Sequence, residues 1–291
     1  MNKELQNKIE EWRARCAEVS SLTDVPFNVA EETAEDKRKR ITYLLSHYDK
    51  FCEYYFAHYM QLRDKTTGEV IRVIHNAPFH NSAAKKVKET PNLKAVFKWP
   101  RGHAKSTHFD IFIPLWLKFQ KLMRVMVVVG KSEESAQTLL ADIQAELEFN
   151  QRIIADFGVQ QGTGAWTDGE FVTADDTAFF ARGRGQSPRG LRYKTSRPDY
   201  IVIDDLDDDE MCRNEKRVND MTAWVKEALF GSLDVGRGRF IMVGNLISKN
   251  SVLQKISETS GVYVSEIKAV DHNGEPVWKE KWTKQEAEEA K

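Results

Sequence analysis

Several features are scarce in this sequence of 291 residues, and each absence excludes a class of protein. Its three cysteines (Cys16, Cys52 and Cys212) are scattered and odd in number, which argues against a disulfide framework and indicates a reducing compartment. No apolar run approaches the roughly 20 residues of a membrane-spanning helix. The polar start Met-Asn-Lys-Glu-Leu-Gln is unlike a secretory signal. We therefore expect a soluble protein that works inside a cell.

An excess of charge of either sign is also missing. The chain has 43 basic and 44 acidic residues and a formal net charge of −1, so its overall charge gives no evidence for a nucleic-acid partner. Contact with DNA would have to come from a local basic patch. We find no internal repeat and no low-complexity segment, and the length suffices for one large domain or two modest ones.

The periodicity of apolar residues changes along the chain. Residues 1–62 are predicted to be helical, because apolar residues recur at helical spacing over 9–19 and again over 41–55. From residue 93 onward, short apolar strands alternate with longer helical segments. The predicted strands lie at 95–97, 125–129, 201–203, 240–243 and 262–267, and a helix is predicted at 132–148. This alternation predicts an α/β fold with a mainly parallel central sheet flanked by helices.

The segment 99–107 has the composition of a phosphate-binding loop. It reads Trp-Pro-Arg-Gly-His-Ala-Lys-Ser-Thr and lies between a predicted strand and a predicted amphipathic helix. Such a loop needs backbone N–H groups at a helix N-terminus, a flexible cation for the terminal phosphates and a hydroxyl for magnesium. Lys105 is the candidate cation and Ser106 the candidate hydroxyl, while Gly102 supplies freedom in the turn. The pattern G-x-x-x-x-G-K-[ST] is matched incompletely, since tryptophan and alanine replace its glycines, so a lysine that merely starts a surface helix is an alternative.

A second apolar strand, at 200–203, ends in two carboxylates. Asp204 would hold magnesium, and Asp205 would orient the attacking water, a place usually filled by a glutamate. The acidic run continues to Glu210 and puts six carboxylates within seven residues. Because such crowding is costly without cations, the basic side chains of 213–217 are expected nearby. A two-metal nuclease could use this cluster, but nuclease carboxylates usually converge from separate segments.

A third apolar strand, at 240–243, ends in Gly244 and Asn245. On a nucleotide-hydrolysing sheet, an amide at this position can sense the terminal phosphate and report its loss. Without the two motifs described above, the same residues would indicate only a strand followed by an ordinary turn.

In this order the motifs resemble the ATPase part of the large terminase subunits of tailed phages, the motors that pump DNA into procapsids. The resemblance runs from about residue 78 to the C-terminus, and the family tolerates the missing glycines. The matching segments are 78–80 (Pro-Phe-His), 100–107 as a loosened Walker A motif, 189–192 (Arg-Gly-Leu-Arg), 197–205 with the Walker B strand, 244–245 as the coupling motif and 276–282 (Pro-Val-Trp-Lys-Glu-Lys-Trp).

The resemblance implies a P-loop NTPase fold of the ASCE or RecA-like type, divided into three parts. Residues 1–62 would form an N-terminal helical lid, 63–270 the ATPase domain and 271–291 a linker toward a nuclease domain. That nuclease domain should begin where this sequence stops, so either the chain is shortened or the gene product is confined to the motor. Nuclease activity is expected only of the full-length subunit.

ATP and Mg²⁺ are the cofactors that the resemblance implies. The cofactor-binding residues would be Arg101, Gly102, His103, Ala104, Lys105, Ser106, Thr107 and Asn245. Ser106 and Asp204 would hold magnesium, and Lys105 and Asp205 would be catalytic together with an arginine that acts on the neighbouring subunit. Arg189 matches that arginine best by its position before the Walker B strand, with Arg192 and Arg101 as alternatives. Residues 78–80 could contact the adenine by position, although packing explains them equally well.

The implied partners are double-stranded DNA bound without sequence preference, a portal protein, a small terminase subunit and further copies of the chain in a ring on the procapsid. A monomeric isolated form is left open, and no membrane is involved. The place of action would be the cytoplasm of the infected bacterial host and, transiently, the portal vertex. Two other functions stay open: a helicase or other RecA-like ATPase, although we find no second RecA-like half, and a DNA-binding assembly protein whose nucleotide site has lost activity.

Overall fold

The structure, a computed structural model, describes residues 3–64, 66–186 and 190–289. The strands are β1 (Gln61–Arg63), β2 (Val70–Val73), β3 (Lys94–Lys98), β4 (Val125–Gly130), β5 (Gln161–Thr167), β6 (Glu170–Thr173), β7 (Ala178–Gly183), β8 (Tyr200–Asp204), β9 (Arg239–Gly244) and β10 (Tyr263–Glu266). The α-helices are α1 (Lys3–Leu22), α2 (Phe27–Ala30), α3 (Ala34–Ser46), α4 (Tyr48–Tyr55), α5 (Pro78–Glu89), α6 (Ile113–Phe119), α7 (Glu133–Phe149), α8 (Gln151–Phe157), α9 (Asp209–Cys212), α10 (Glu215–Trp224), α11 (Phe230–Ser232), α12 (Val252–Ser257) and α13 (Lys284–Glu289).

These elements form two compact units. One comprises Met1–His75 and Ala141–Gln161, and the other comprises Asn76–Leu140 and Gly162–Lys291. The units are defined by packing alone, so the three functional parts proposed from the sequence (1–62, 63–270 and 271–291) stay a prediction.

The first unit is mostly helical, as the periodicity of the N-terminal part predicts, and it also contains the antiparallel pair β1–β2. The helix predicted across 41–55 is two helices, α3 and α4, with His47 in an extended conformation between them (φ −122°, ψ 99°). A largely buried polar cluster joins α3 and α4 to α8. Arg40 donates to the Asp156 carboxylate at 2.7 Å, and the Tyr55 hydroxyl donates to the same carboxylate at 2.6 Å. Burial of this ion pair is tolerable because each charge has a hydrogen-bonded partner.

The second unit is built on an eight-stranded sheet with the order β10-β3-β9-β8-β4-β7-β6-β5. The strands from β10 to β7 are parallel, and β6 is antiparallel to β7. Strands β4, β8 and β9 are buried along their whole length, as expected where helices cover both faces. The α/β fold with a mainly parallel, helix-flanked sheet is therefore confirmed, as are all five predicted strands. Because β3, β9 and β8 are parallel neighbours, their C-terminal ends lie side by side.

Two parts of this unit differ from the prediction. Strands β5, β6 and β7 extend the sheet, although β5 contains two glycines and is mostly exposed, so no apolar run announces it. The segment after the predicted phosphate loop is a π-helical turn, Thr107–Phe112, that continues into α6. Residues 108–119 are all buried, so this helix is a core helix rather than an amphipathic one. Within the described ranges, no helix combines the length and the apolar character needed to cross a bilayer.

Candidate functional site

The predicted phosphate loop, residues 99–107, connects β3 to the π-helical turn. Two of its residues adopt left-handed backbone conformations, Gly102 (φ 73°) and Ala104 (φ 55°). Such a conformation is costly for alanine and unstrained for glycine. Left-handed residues spaced in this way turn successive N–H groups toward one side of the chain, which makes a concave surface suited to an anion.

The hydrogen bonds of the loop leave its donors available. The carbonyls of residues 99 to 103 all accept hydrogen bonds, from the side chains of Lys105, His103, Lys281 and His80. By contrast, the backbone N–H groups of Arg101, Gly102, Ala104, Lys105 and Ser106 have no protein acceptor in the described structure, whereas that of His103 donates to the Pro100 carbonyl. Backbone N–H groups without protein partners at a helix start are the donors that bind phosphates.

Lys105 is buried, and its ammonium group lies inside the loop. Its Nζ donates to the carbonyls of Trp99 (2.7 Å) and Pro100 (3.0 Å) and to Oδ1 of Asn245 (2.9 Å). Burial lowers the pKa of Lys105, while the carboxylates of Asp205 and Asp204 act in the opposite direction. The structure thus brings the end of β9 and the loop after β3 together through one cation.

Ser106 and Asp204 meet at the start of the helix. The Ser106 hydroxyl donates to Oδ2 of Asp204 at 2.5 Å. Asp204 is 7% exposed, and burial raises its pKa, although the hydrogen bond from Ser106 lowers it. A hydroxyl and a carboxylate in contact suit Mg²⁺, which typically takes one or two protein oxygens and completes its shell with water and nucleotide phosphates. Within the described ranges, no group of three or more His, Cys, Asp or Glu residues is placed to hold a metal ion.

Asp205 lies next to this pair but in a different environment. It is exposed, and its backbone is left-handed (φ 45°), an uncommon conformation for a residue other than glycine. Its Oδ1 is 3.9 Å from the position that a Cβ would take on Gly244, so the carboxylate faces the end of β9. An exposed carboxylate whose backbone is constrained at a strand end is suited to orient a water molecule that acts as the nucleophile.

Asp110 was missed by the sequence reasoning. It lies on the π-helical turn, 1% exposed, and neither carboxyl oxygen has a hydrogen-bond donor in the described structure. Burial, followed by the charge of Asp204, raises the pKa of Asp110 well above its usual range. This shift favours the protonated form of the Asp110 carboxyl, which can donate a hydrogen bond to Asp204. The available signal was a lone acidic residue four positions after Ser106 within an apolar run.

A C-terminal segment also contacts the loop. Lys281 Nζ donates to the Gly102 carbonyl at 2.6 Å and lies over the rings of Trp278 and Trp282. The Trp282 ring lies so close to Gly102 that a Cβ there would be 2.6 Å from its Cζ2 atom. The sequence placed this segment in a linker and gave no sign that it returns to the loop.

The segment 78–80 supports the loop from another side. Nε2 of His80 donates to the carbonyl of His103 at 3.1 Å, and its Nδ1 accepts the Ala77 N–H at 2.9 Å. Both ring nitrogens are therefore used, and burial lowers the pKa of His80 to about 3, so the ring is neutral. Phe79 packs edge-on against Trp99, with ring centroids 4.9 Å apart. Packing accounts for the buried His80, while Phe79 is half-buried and Pro78 is exposed.

The acidic run after β8 is divided among separate structural roles. Asp207 accepts the N–H groups of Val252 and Leu253 at the start of α12, at 2.8 and 2.9 Å. Asp208 pairs with Arg184 at 2.7 Å, and Glu210 pairs with Arg217 at the same distance. The expected partner from 213–217 is thus present, while Arg184 was not foreseen. The carboxylates diverge, which does not fit a two-metal nuclease site.

The predicted arginines lie in three different situations. Arg189 falls outside the described residues. Arg101 is exposed on the loop, and Arg192 lines a cavity of about 370 Å³ together with Arg197 and Glu227. Thr107 is half-buried at the start of the π-helical turn. Nothing in the described structure selects one arginine for action on a neighbouring copy.

No protein-family model and no curated protein sequence matches the chain. Among solved structures, the chain is similar to one titled "Crystal structure of the HK97 bacteriophage large terminase". The two share 11% identity with a TM-score of 0.49, and the match covers 84% of this chain and 50% of that one. This chain therefore matches only half the length of that structure.

Proposed function

We propose that this chain is the ATP-hydrolysing motor domain of a terminase large subunit, which drives double-stranded DNA into a procapsid. The observation that supports the proposal is the convergence of three strand ends on one site. Lys105 in the loop after β3 donates to Asn245 after β9, and the neighbouring Ser106 donates to Asp204 at the end of β8. A phosphate cation, a magnesium hydroxyl, a magnesium carboxylate and a polar amide are the parts that triphosphate hydrolysis needs.

Each residue then has a role in binding or hydrolysis. The free N–H groups of the loop and Lys105 would hold the β- and γ-phosphates, and Arg101 could reach them from the exposed side of the loop. Ser106 and Asp204 would hold Mg²⁺, which when bound neutralises charge on the phosphate oxygens. Asp205 would orient the attacking water. Asn245 would exchange its bond from Lys105 for a contact that depends on the γ-phosphate, which links the loop to β9.

The partners follow from the same proposal. We expect double-stranded DNA to be held by its backbone, so binding should be sensitive to salt and independent of sequence. A portal protein, a small terminase subunit and further copies of the chain in a ring would complete the motor in the cytoplasm of an infected bacterium. Nuclease activity would belong to the full-length subunit.

A second candidate is a DNA-binding assembly protein with a weak or inactive nucleotide site. The observation that favours it is Asp205, because an aspartate stands where a longer glutamate is usual. A helicase finds less support, since the described residues contain one large, mainly parallel sheet and no second RecA-like half.

Phosphate release separates the two candidates. Wild type, Lys105→Ala and the control Lys85→Ala, whose side chain is 72% exposed on α5, are assayed with ATP, Mg²⁺ and double-stranded DNA at high protein concentration. The motor proposal expects turnover in wild type and Lys85→Ala, and loss of it in Lys105→Ala or on adding EDTA. Turnover in wild type no higher than in Lys105→Ala, with DNA binding intact, would favour the assembly protein.

A further inference from the structure

A cavity of about 650 Å³ opens beside the predicted phosphate loop. Its walls come from the end of β3 and the loop, from the ends of β9 and β10, and from the C-terminal segment. The lining residues are Lys98, Trp99, Pro100, Arg101, Gly102, Asn245, Leu246, Ile247, Glu266, Ile267, Trp282 and Glu289. The volume is within the range of about 300–1,000 Å³ that small-molecule sites occupy. The polar backbone of the loop forms one wall of the cavity, and the other walls include an indole and aliphatic side chains.

The indole of Trp282 is fixed at the edge of this cavity. It packs directly on Gly102, and it lies near-parallel to the His103 ring (23°, centroids 6.1 Å apart). Lys281 secures the segment by donating to the Gly102 carbonyl from a position between the indoles of Trp278 and Trp282. The ring is therefore held next to the loop, and it stays half-exposed.

Aliphatic side chains on another wall are unusually open to solvent. Leu246 is 49% exposed and Ile247 39% exposed, although both lie within three residues of the end of the buried strand β9. Apolar side chains that line a cavity beside an anion site suit a ligand with one charged end and one flat apolar end. His80 of the 78–80 segment cannot supply such a surface, because it is fully buried with both ring nitrogens bonded.

We propose that Trp282 is the base-binding residue of a nucleotide site, so that a nucleobase stacks on its indole while the phosphates lie on the loop. This inference rests on the proposed function and adds the ligand class: a nucleoside triphosphate recognised by its aromatic face. Stacking tolerates every base, because each base has a π-face. We therefore expect adenine and guanine nucleotides to bind with similar affinity.

The test compares ligands with and without a base. Binding of a non-hydrolysable ATP analogue, the matching GTP analogue and inorganic triphosphate is measured by calorimetry on the 291-residue chain with Mg²⁺. The variants are Trp282→Ala, Trp282→Phe and the control Trp166→Ala, which lies on β5 at the opposite edge of the sheet. Inorganic triphosphate reports the phosphate loop alone.

In wild type, we expect both analogues to bind at least about fivefold more tightly than inorganic triphosphate, since stacking of a base on an aromatic ring is worth about 1–3 kcal/mol. Trp282→Ala should remove this advantage and leave triphosphate affinity unchanged, while Trp282→Phe and Trp166→Ala should keep it. If Trp282→Ala lowered the affinity for triphosphate and for the analogues equally, or lowered neither, the base-binding role would be overturned. The proposed phosphate-binding role of the loop would be unaffected. Failure of wild type to bind triphosphate or either analogue would overturn the proposed function as well.

Discussion

At the scale of single residues, Gly102 is constrained in two independent ways. Its backbone is left-handed, and the indole of Trp282 occupies the space where a side chain would begin. Gly261, in the turn before β10, has a similar φ (79°) but open space around it. The two glycines therefore separate the cost of backbone strain from the cost of steric contact.

Replacing each glycine by alanine measures the contact between Gly102 and Trp282. Gly261→Ala should lower the free energy of unfolding by about 1 kcal/mol from the backbone alone. Gly102→Ala should cost a further ~1–3 kcal/mol, because the new methyl group displaces the indole or the loop. Urea denaturation gives both values, and the double variant Gly102→Ala/Trp282→Ala should recover the excess. An equal cost for the two glycine variants would show that the indole does not press on the loop.

The residues that the sequence identified are those whose chemistry belongs to a contiguous motif. Lys105 and Ser106 stand out because they follow a strand and a turn, and Asp204 stands out because it ends an apolar strand. The structure brings these residues together with Asn245 in one site. Asp110 and Lys281 were missed for another reason. Their roles depend on burial and on a contact between residues 179 positions apart in the chain, which no local spacing encodes.

At the scale of elements, helix α12 begins on a carboxylate from the acidic run. Asp207 accepts two backbone N–H groups of its first turn, and α12 packs on β3 and β9, the strands that carry the loop and Asn245. Burial raises the pKa of Asp207, and these two backbone bonds act in the opposite direction. The acidic run thus contributes to the support of the site.

We predict that Asp207→Ala lowers the free energy of unfolding by about 1–2 kcal/mol, since two buried helix donors lose their acceptor. The control Asp209→Ala removes an exposed carboxylate of the same run and should change it by less than about 0.5 kcal/mol. Urea denaturation compares them, and amide exchange at Val252 and Leu253 should rise only in Asp207→Ala. Matching stabilities for the two variants would contradict a capping role.

The sequence predicted strands that are buried on both faces and missed a strand at the exposed edge of the sheet. Strands β4, β8 and β9 are continuous apolar runs because helices cover both faces of the sheet there. Strand β5 lies at the edge and is mostly exposed, so its side chains need not be apolar. The break at His47 and the π-helical turn after Ser106 leave helical periodicity almost unchanged, and the sequence therefore showed one continuous helix in each place.

At the scale of the whole molecule, the proposed site is complete except for a cation outside the loop. The described residues supply Lys105, Ser106, Asp204, Asp205 and Asn245, and among them no hydrogen bond or ion pair joins Arg101 or Arg192 to this group. If hydrolysis needs an arginine from a neighbouring copy, turnover per chain should depend on assembly.

Mixing two inactive variants tests that dependence. Lys105→Ala keeps its arginines and lacks a working loop, whereas Arg189→Ala keeps the loop and lacks the candidate arginine. Alone, Arg189→Ala should lose a factor of about 10³–10⁵ in turnover and keep nucleotide affinity. An equimolar mixture should regain activity at roughly one interface in four if the arginine acts between copies. Arg192→Ala and Arg101→Ala are mixed in the same way, and recovery in no mixture would exclude all three.

The ammonium group of Lys105 has three hydrogens, and three protein oxygens already accept them. An incoming anion has to compete with these oxygens for the lysine. A small ion such as free orthophosphate would replace three hydrogen bonds of Lys105 by fewer, so its binding would gain little free energy. A longer polyanion can engage the open N–H groups first and draw the lysine away afterwards. If the loop binds a polyphosphate as proposed, the Asn245 amide would be released only by a ligand long enough to engage the loop N–H groups and Lys105 together.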